Sequence, residues 1–140
     1  MKVAIVHDWL VTNAGAEKVL KQIAKENVEV LGYQEDKVLV DYMQRAKAFV
    51  YAAVEDFGIV PIEAFACGTP MIALNDGGTA ESVIDGVNGV HFQNQTIQDI
   101  KQAVNQFESL DFDILDIRNS TFKYVDFKYS FKSFVDKYIN

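Results

Sequence analysis

The sequence predicts an α/β protein: a doubly wound, Rossmann-like parallel sheet with helices on both faces. Short apolar runs alternate along the chain with longer segments of helical periodicity, and glycine or proline punctuates many of the joins. The runs are apolar at nearly every position, as strands are when both faces of a sheet are covered.

Val3 to Val6 reads as the first buried strand, and Asp8 to Gly15 as the turn that leaves it. A helix follows from about Ala16 to Lys25, with Val19, Leu20 and Ile23 on one face. Val28 to Leu31 is a second strand, stopped by Gly32. Asp36 to Ala46 is helical, with Leu39, Val40 and Met43 at core spacing. Phe49 to Ala52 is a third strand. Ile59 to Ala66 is a helix with Pro61 in its first turn, ended by Gly68 and Pro70. Met71 to Leu74 is the fourth strand, Thr79 to Ile84 a short helix, and Val90 to Phe92 the last strand. Ile97 to Phe107 and Phe122 to Tyr138 are helices. In the second, Phe127, Phe131, Phe134 and Tyr138 recur at i, i+4, i+7 and i+11, a core-packing face. Right-handed crossovers place ligands beyond the carboxyl ends of such strands. The loops bearing Glu55 and Gly77-Gly78 both leave strands at that end, so both are expected to line one crevice.

Composition narrows the function. The chain has 140 residues, the size of one domain by a prior of roughly 100–200 residues. A net charge of −7 argues against a nucleic-acid partner. No run approaches the roughly 18 apolar residues of a membrane span, although peripheral membrane contact is compatible with the sequence. Met1-Lys2 leads straight into strand-like residues with no signal-peptide pattern, and the single Cys67 fits a reducing cytoplasm. Cys67, inside Ala64-Phe65-Ala66-Cys67-Gly68, reads as a small packed residue at a helix end and not as a nucleophile. Two histidines and one cysteine lie far apart and offer no metal-ligand spacing, and His91 reads as a surface strand residue.

The most informative stretch is Glu55-Asp56-Phe57-Gly58-Ile59-Val60-Pro61-Ile62-Glu63. A strand leads into a glycine-containing turn and then into a helix whose first N–H groups lack partners. Such a helix start attracts anions. Carboxylates on either side add hydrogen-bond acceptors. The arrangement suits a ligand with phosphates in the middle and hydroxyls at both ends, such as a nucleoside-diphosphate sugar. Gly77-Gly78 follows the same logic, because two glycines after a strand let backbone amides face a ligand.

The run from Glu55 to Glu63, continued by Ala64-Phe65-Ala66-Cys67-Gly68-Thr69-Pro70, resembles the signature of retaining GT-B-fold glycosyltransferases of the fourth family. Asn75-Asp76-Gly77-Gly78-Thr79-Ala80-Glu81-Ser82 and Asp85-Gly86-Val87-Asn88-Gly89 extend the match. The resemblance implies one half of a GT-B fold and no metal or other cofactor. It implies that Glu55 is the catalytic carboxylate, bonded to the transferred sugar near the reacting carbon. Glu63 would accept bonds from ribose hydroxyls. The amides of Phe57, Gly58 and Ile59, with Gly77, Gly78 and Gly15, would complete donor binding, and Glu81 would brace its loop.

Residues 1–24 resemble the start of the family's acceptor domain, and residues 27–140 resemble its donor domain. A two-domain enzyme would need about 300 residues. The expectation is therefore an internally shortened chain forming one domain over residues 1–140, with little or no transferase turnover alone. In such a domain Val3–Val6 would take the place of a lost strand, giving the order Val28–Leu31, Val3–Val6, Phe49–Ala52, Met71–Leu74, Val90–Phe92. The competing reading is a non-catalytic nucleotide-binding or protein-interaction α/β module. A receiver-type signalling domain would need an acid at the end of the third strand, where Ala52-Ala53 stand.

Overall fold

A computed structural model describes Val3, Ala4, residues 34–122 and Tyr124. The described elements are β1 (Val3–Ala4), α1 (Asp36–Arg45), β2 (Ala48–Tyr51), α2 (Ile59–Ala66), β3 (Met71–Leu74), α3 (Gly78–Ser82), β4 (Gly89–Phe92), α4 (Ile97–Glu108) and α5 (Ile114–Asn119). The strands form one sheet in the order β1-β2-β3-β4, with every pair parallel. Val3 sits opposite Ala48, Phe49 opposite Met71, and Met71 opposite Gly89.

The expected doubly wound α/β architecture is therefore present, and β1 pairs with β2, one of the two neighbours expected of it, at the edge of the described sheet. Its expected outer neighbour, Val28–Leu31, lies outside the described residues. So do the helix from Ala16 to Lys25 and the aromatic face from Phe127 to Tyr138. Phe122 and Tyr124 are helical, as expected for the start of that last helix.

Alternation along the strands feeds two cores. Ala48, Val50, Ile72, Leu74, Val90 and Phe92 pack against Ile100, Ala103 and Phe107 of α4. Phe49, Tyr51, Met71 and Ala73 pack on the opposite face with Met43 of α1, Ala64 and Phe65 of α2, and Ile117 of α5. Both faces of β2 and β3 are buried along their whole length, which is why these strands carry no charged residue. In α1, Met43 fills the core and Leu39 is half-buried, but Val40 is 42 % exposed and lies off the predicted core stripe.

Boundaries follow local chemistry. The α2 helix and β3 match their predicted limits, because Gly58 opens α2 and Gly68 and Pro70 separate it from the strand. The α5 helix was not expected from the sequence. Its signal is Asp113, whose carboxylate accepts from the N–H groups of Leu115 and Asp116. Asn88, fully buried, links three segments: its Nδ2 donates to Ser82 O and Ser120 Oγ, and its Oδ1 accepts from Ile84 N. No helix among the described residues is long and apolar enough to cross a membrane.

The α4 helix starts at a capping arrangement. Thr96 Oγ1 accepts from Asp99 N at 3.1 Å and donates to Asp99 Oδ1 at 2.7 Å. Asn94 donates to Asp99 Oδ2 through both its backbone and its side chain. These bonds, that of Thr96 first, hold the Asp99 carboxyl below its ordinary pKa. Thr96→Ala should lower stability by about 1 kcal/mol, the usual value of an N-cap, read as a shift in the urea midpoint. The contribution of Asp99 is present above its unfolded-state pKa and is lost as pH falls through its lower folded-state value. The deficit of Asp99→Asn relative to the parent should therefore shrink in acid, and a deficit that does not change with pH would contradict this origin.

Candidate functional site

The carboxyl ends of β2 and β3 release the two predicted loops side by side. From β2 the chain runs through Ala52 to Gly58 and into α2; from β3 it runs through Asn75 to Gly77 and into α3. The loops touch backbone to backbone. Gly78 N–H donates to Glu55 O at 2.7 Å. A Cβ on Gly77 would overlap the Glu55 carbonyl, and one on Gly78 would overlap the Phe57 carbonyl. Glycine is required at both positions by this close approach.

This contact changes the meaning of the Gly-Gly pair. The sequence suggested outward amides, but Gly78 N–H is bonded inside the protein and Gly77 N–H donates to Asp76 Oδ1 at 2.8 Å. In this geometry the pair joins the two loops. The exit of β2 has a second restraint, since Gln95 Nε2 donates to Ala52 O at 2.6 Å.

Gly58 caps α2 in the left-handed region at φ 69°, with no side-chain cap bond. Ile59 and Val60 supply the leading N–H groups, and Pro61 has none to supply. The first turn of α2 carries no acidic residue. The other described helices each place one there: Asp36 in α1, Glu81 in α3, Asp99 in α4 and Asp116 in α5. Among the described helices, α2 alone has no acidic side chain in its first turn to offset its positive end. Glu55 lies exposed on the loop before it, and Glu63 lies exposed on the helix after it. Phe57 is 46 % exposed, with its ring edge-on to Tyr124 at 5.7 Å, so Tyr124 packs against this loop. Gly15 lies outside the described residues.

Three further residues support the site without being singled out in the sequence for it. Thr79 Oγ1 lies 2.6 Å from Leu74 O and 2.8 Å from Asp76 O, tying α3 to the end of β3. His91 is not the surface strand residue predicted: its side chain is only 9 % exposed. Its Nε2 meets Thr79 O at 3.1 Å and its Nδ1 meets Asp85 Oδ2 at 3.2 Å. A lone histidine in a strand gives no sign of such bridging, because its partners come from α3 and the following turn. Tyr51, at the end of β2, carries a buried hydroxyl without a partner among the described residues. Cys67 is half-buried at the end of α2, where burial first raises its thiol pKa. Its place at a helix end is the packed position expected of it.

Gly78→Ala should lower stability by about 2 kcal/mol, in the usual range for overpacking, measured by urea unfolding. An unchanged midpoint would show that the loops can part freely. Because a raised thiol pKa leaves less thiolate at neutral pH, a disulfide reagent should label native Cys67 more slowly than the unfolded chain. Equal rates would place the thiol in an activating environment.

The family described as "Glycosyl transferases group 1" matches residues 11–123. Glycogen synthase of Mycobacterium tuberculosis is 34% identical over 98 residues, covering 69% of this chain and 22% of that protein. A glycosyltransferase of Methanocaldococcus jannaschii is 32% identical over 92 residues, covering 63% of this chain and 26% of that protein. Anabaena HepE, solved in complex with UDP-glucose, superposes with a TM-score of 0.57 at 24% identity, over 85% of this chain and 34% of that one, a likeness of fold. The chain thus spans between about a fifth and a third of the length of these proteins. With the motif from Glu55 to Glu63 inside the matched segment, this chain belongs to the group 1 glycosyltransferases.

Proposed function

We propose that this chain binds a nucleoside-diphosphate sugar at the mouth formed by the Glu55–Gly58 loop, the start of α2 and the Gly77-Gly78 loop. In this reading it supplies the donor half of a retaining transfer to an acceptor hydroxyl. The observation that carries the proposal is the first turn of α2, free of acid and without a side-chain cap bond, between two exposed carboxylates. The diphosphate lies against the N–H groups of Ile59 and Val60, with the amides of Phe57 and Gly58 nearby. Glu63 accepts bonds from the ribose hydroxyls. Glu55 accepts bonds from the sugar beside its anomeric carbon and is the catalytic carboxylate.

The chemistry asked of this half is positioning and charge stabilisation. As the bond from the anomeric carbon to the diphosphate breaks, negative charge grows on the departing phosphoryl oxygen. Fixed amide dipoles aimed at that oxygen stabilise it without reorganising. Glu55 meanwhile holds the sugar in a reactive orientation. The structural likeness to HepE, solved with UDP-glucose and with UDP, supports a uridine donor as the first ligand to test. Acceptor binding and transfer call for a second face that these 140 residues do not supply in this reading. The half-buried thiol fits a reducing cytoplasm as the working compartment.

Calorimetry on the whole chain tests the proposal. UDP and UDP-glucose should bind saturably. Glu63→Ala should weaken both by about tenfold, the value of one or two hydrogen bonds to a carboxylate, whereas Glu55→Gln should weaken only UDP-glucose. Glucose transfer should not exceed the buffer rate. No binding of either ligand, or of GDP, at millimolar concentration would replace this reading with a non-catalytic interaction module.

A further inference from the structure

Tyr51 Oη and Ser82 Oγ are the two buried side-chain oxygens without a hydrogen-bond partner among the described residues. Burying a hydroxyl unpaired is unfavourable, and native structures that do so usually have a use for it. Tyr51 is the clearer case. It ends β2, is 6 % exposed, stacks on Phe49 with ring centroids 6.2 Å apart, and packs among Phe65, Met71 and Val83. Phenylalanine would meet every one of those packing demands. The hydroxyl therefore calls for a partner that packing does not explain.

The charged group that acts on this hydroxyl is Glu55, four residues further along the chain. Burial first, and then that carboxylate, hold the phenol well above its ordinary pKa, so the hydroxyl remains a proton donor through the neutral range. Glu55 itself needs such a restraint. Its backbone is fixed by Gly78 N–H, and the strand end before it by Gln95, but its side chain is exposed. A carboxylate that must meet one face of a sugar loses rotamer freedom on doing so, and a donor placed beneath it reduces that loss.

We propose that Tyr51 is the positioning residue of Glu55: its hydroxyl donates to the carboxylate and holds it in the rotamer that receives the sugar. The exposed Glu55 side chain visits this pairing in the free chain, and the bound sugar fixes it. This inference rests on the donor-binding reading above, and it predicts an effect confined to the sugar end of the ligand.

The test is calorimetry of Tyr51→Phe with UDP and with UDP-glucose, alongside thermal unfolding. The melting temperature should change little, since phenylalanine keeps the packing of the ring and the carboxylate it would lose is exposed. Affinity for UDP should stay within about twofold, and affinity for UDP-glucose should fall about tenfold, as expected for a hydrogen bond to a charged group. Equal affinity for UDP-glucose would overturn the proposal, as would an equal loss for both ligands. A second measurement needs no ligand. The Tyr51 Cζ resonance of tyrosine-labelled protein, assigned through Tyr51→Phe, should move in Glu55→Gln, and an unmoved resonance would overturn the pairing. If the parent chain binds neither ligand, the donor reading fails, while the resonance still decides whether the two side chains meet.

Discussion

The hydrogen bond from Gly78 N–H to Glu55 O is the constraint on which the site depends. It joins the exits of two neighbouring parallel strands, and it forms only because neither Gly77 nor Gly78 carries a Cβ. Parallel strands alone would bring the loops to the same edge of the sheet. They would not fix the distance between them. Backbone contact does, and it turns two separate strand-to-helix turns into one rigid rim. The motif's acids and the Gly-Gly pair, apart in sequence, thereby become parts of one structure.

The sheet makes that rim possible by being buried on both faces. Even-numbered residues of β2 face α4 and odd-numbered residues face α2 and α5, so neither face of the strand can slip without exposing a core. The last residue of β2 is Tyr51, and its ring is held by the second of these cores. Beyond it the chain is irregular but restrained, by Gln95 at Ala52 and by Gly78 at Glu55. Behind the rim, His91 and Thr79 secure α3 to β3 and β4. The polar bonds around the loops continue the rigidity of the apolar layers out to the surface.

Much of this was legible in the sequence where a residue has one physical meaning. Gly58 and Pro61 mark the start of α2, and Gly68 and Pro70 mark its end, so its limits were readable. Continuous apolar runs gave β2 and β3 within a residue. The misses fall where meaning depends on a distant partner. Asp113 caps α5, but Asp111-Phe112-Asp113-Ile114 alternates like a strand or loop. Val40 sits at helical core spacing, yet the sheet reaches only Met43. The Gly-Gly pair also joins two loops, a role its sequence does not show, because the partners of its amides are Glu55 and Asp76. His91 reads as a surface residue until Asp85 and Thr79 fold over it.

An acidic chain proposed to hold an anionic ligand raises an electrostatic question, and the helix ends answer it. With a net charge of −7, general attraction cannot draw a diphosphate to this surface. Local fields must do so, and they act only where no carboxylate cancels them. Among the described helices, α2 is the one with an acid-free first turn; its opening residues are Ile59, Val60, Pro61 and Ile62. The apolar side chains of that turn do not compete for its amides. The two acids stand outside that turn, at Glu55 and Glu63, where they can accept from hydroxyls and remain apart from the phosphoryl oxygens. Moving either carboxylate into the first turn would satisfy the helix dipole from within and remove the reason for an anion to bind.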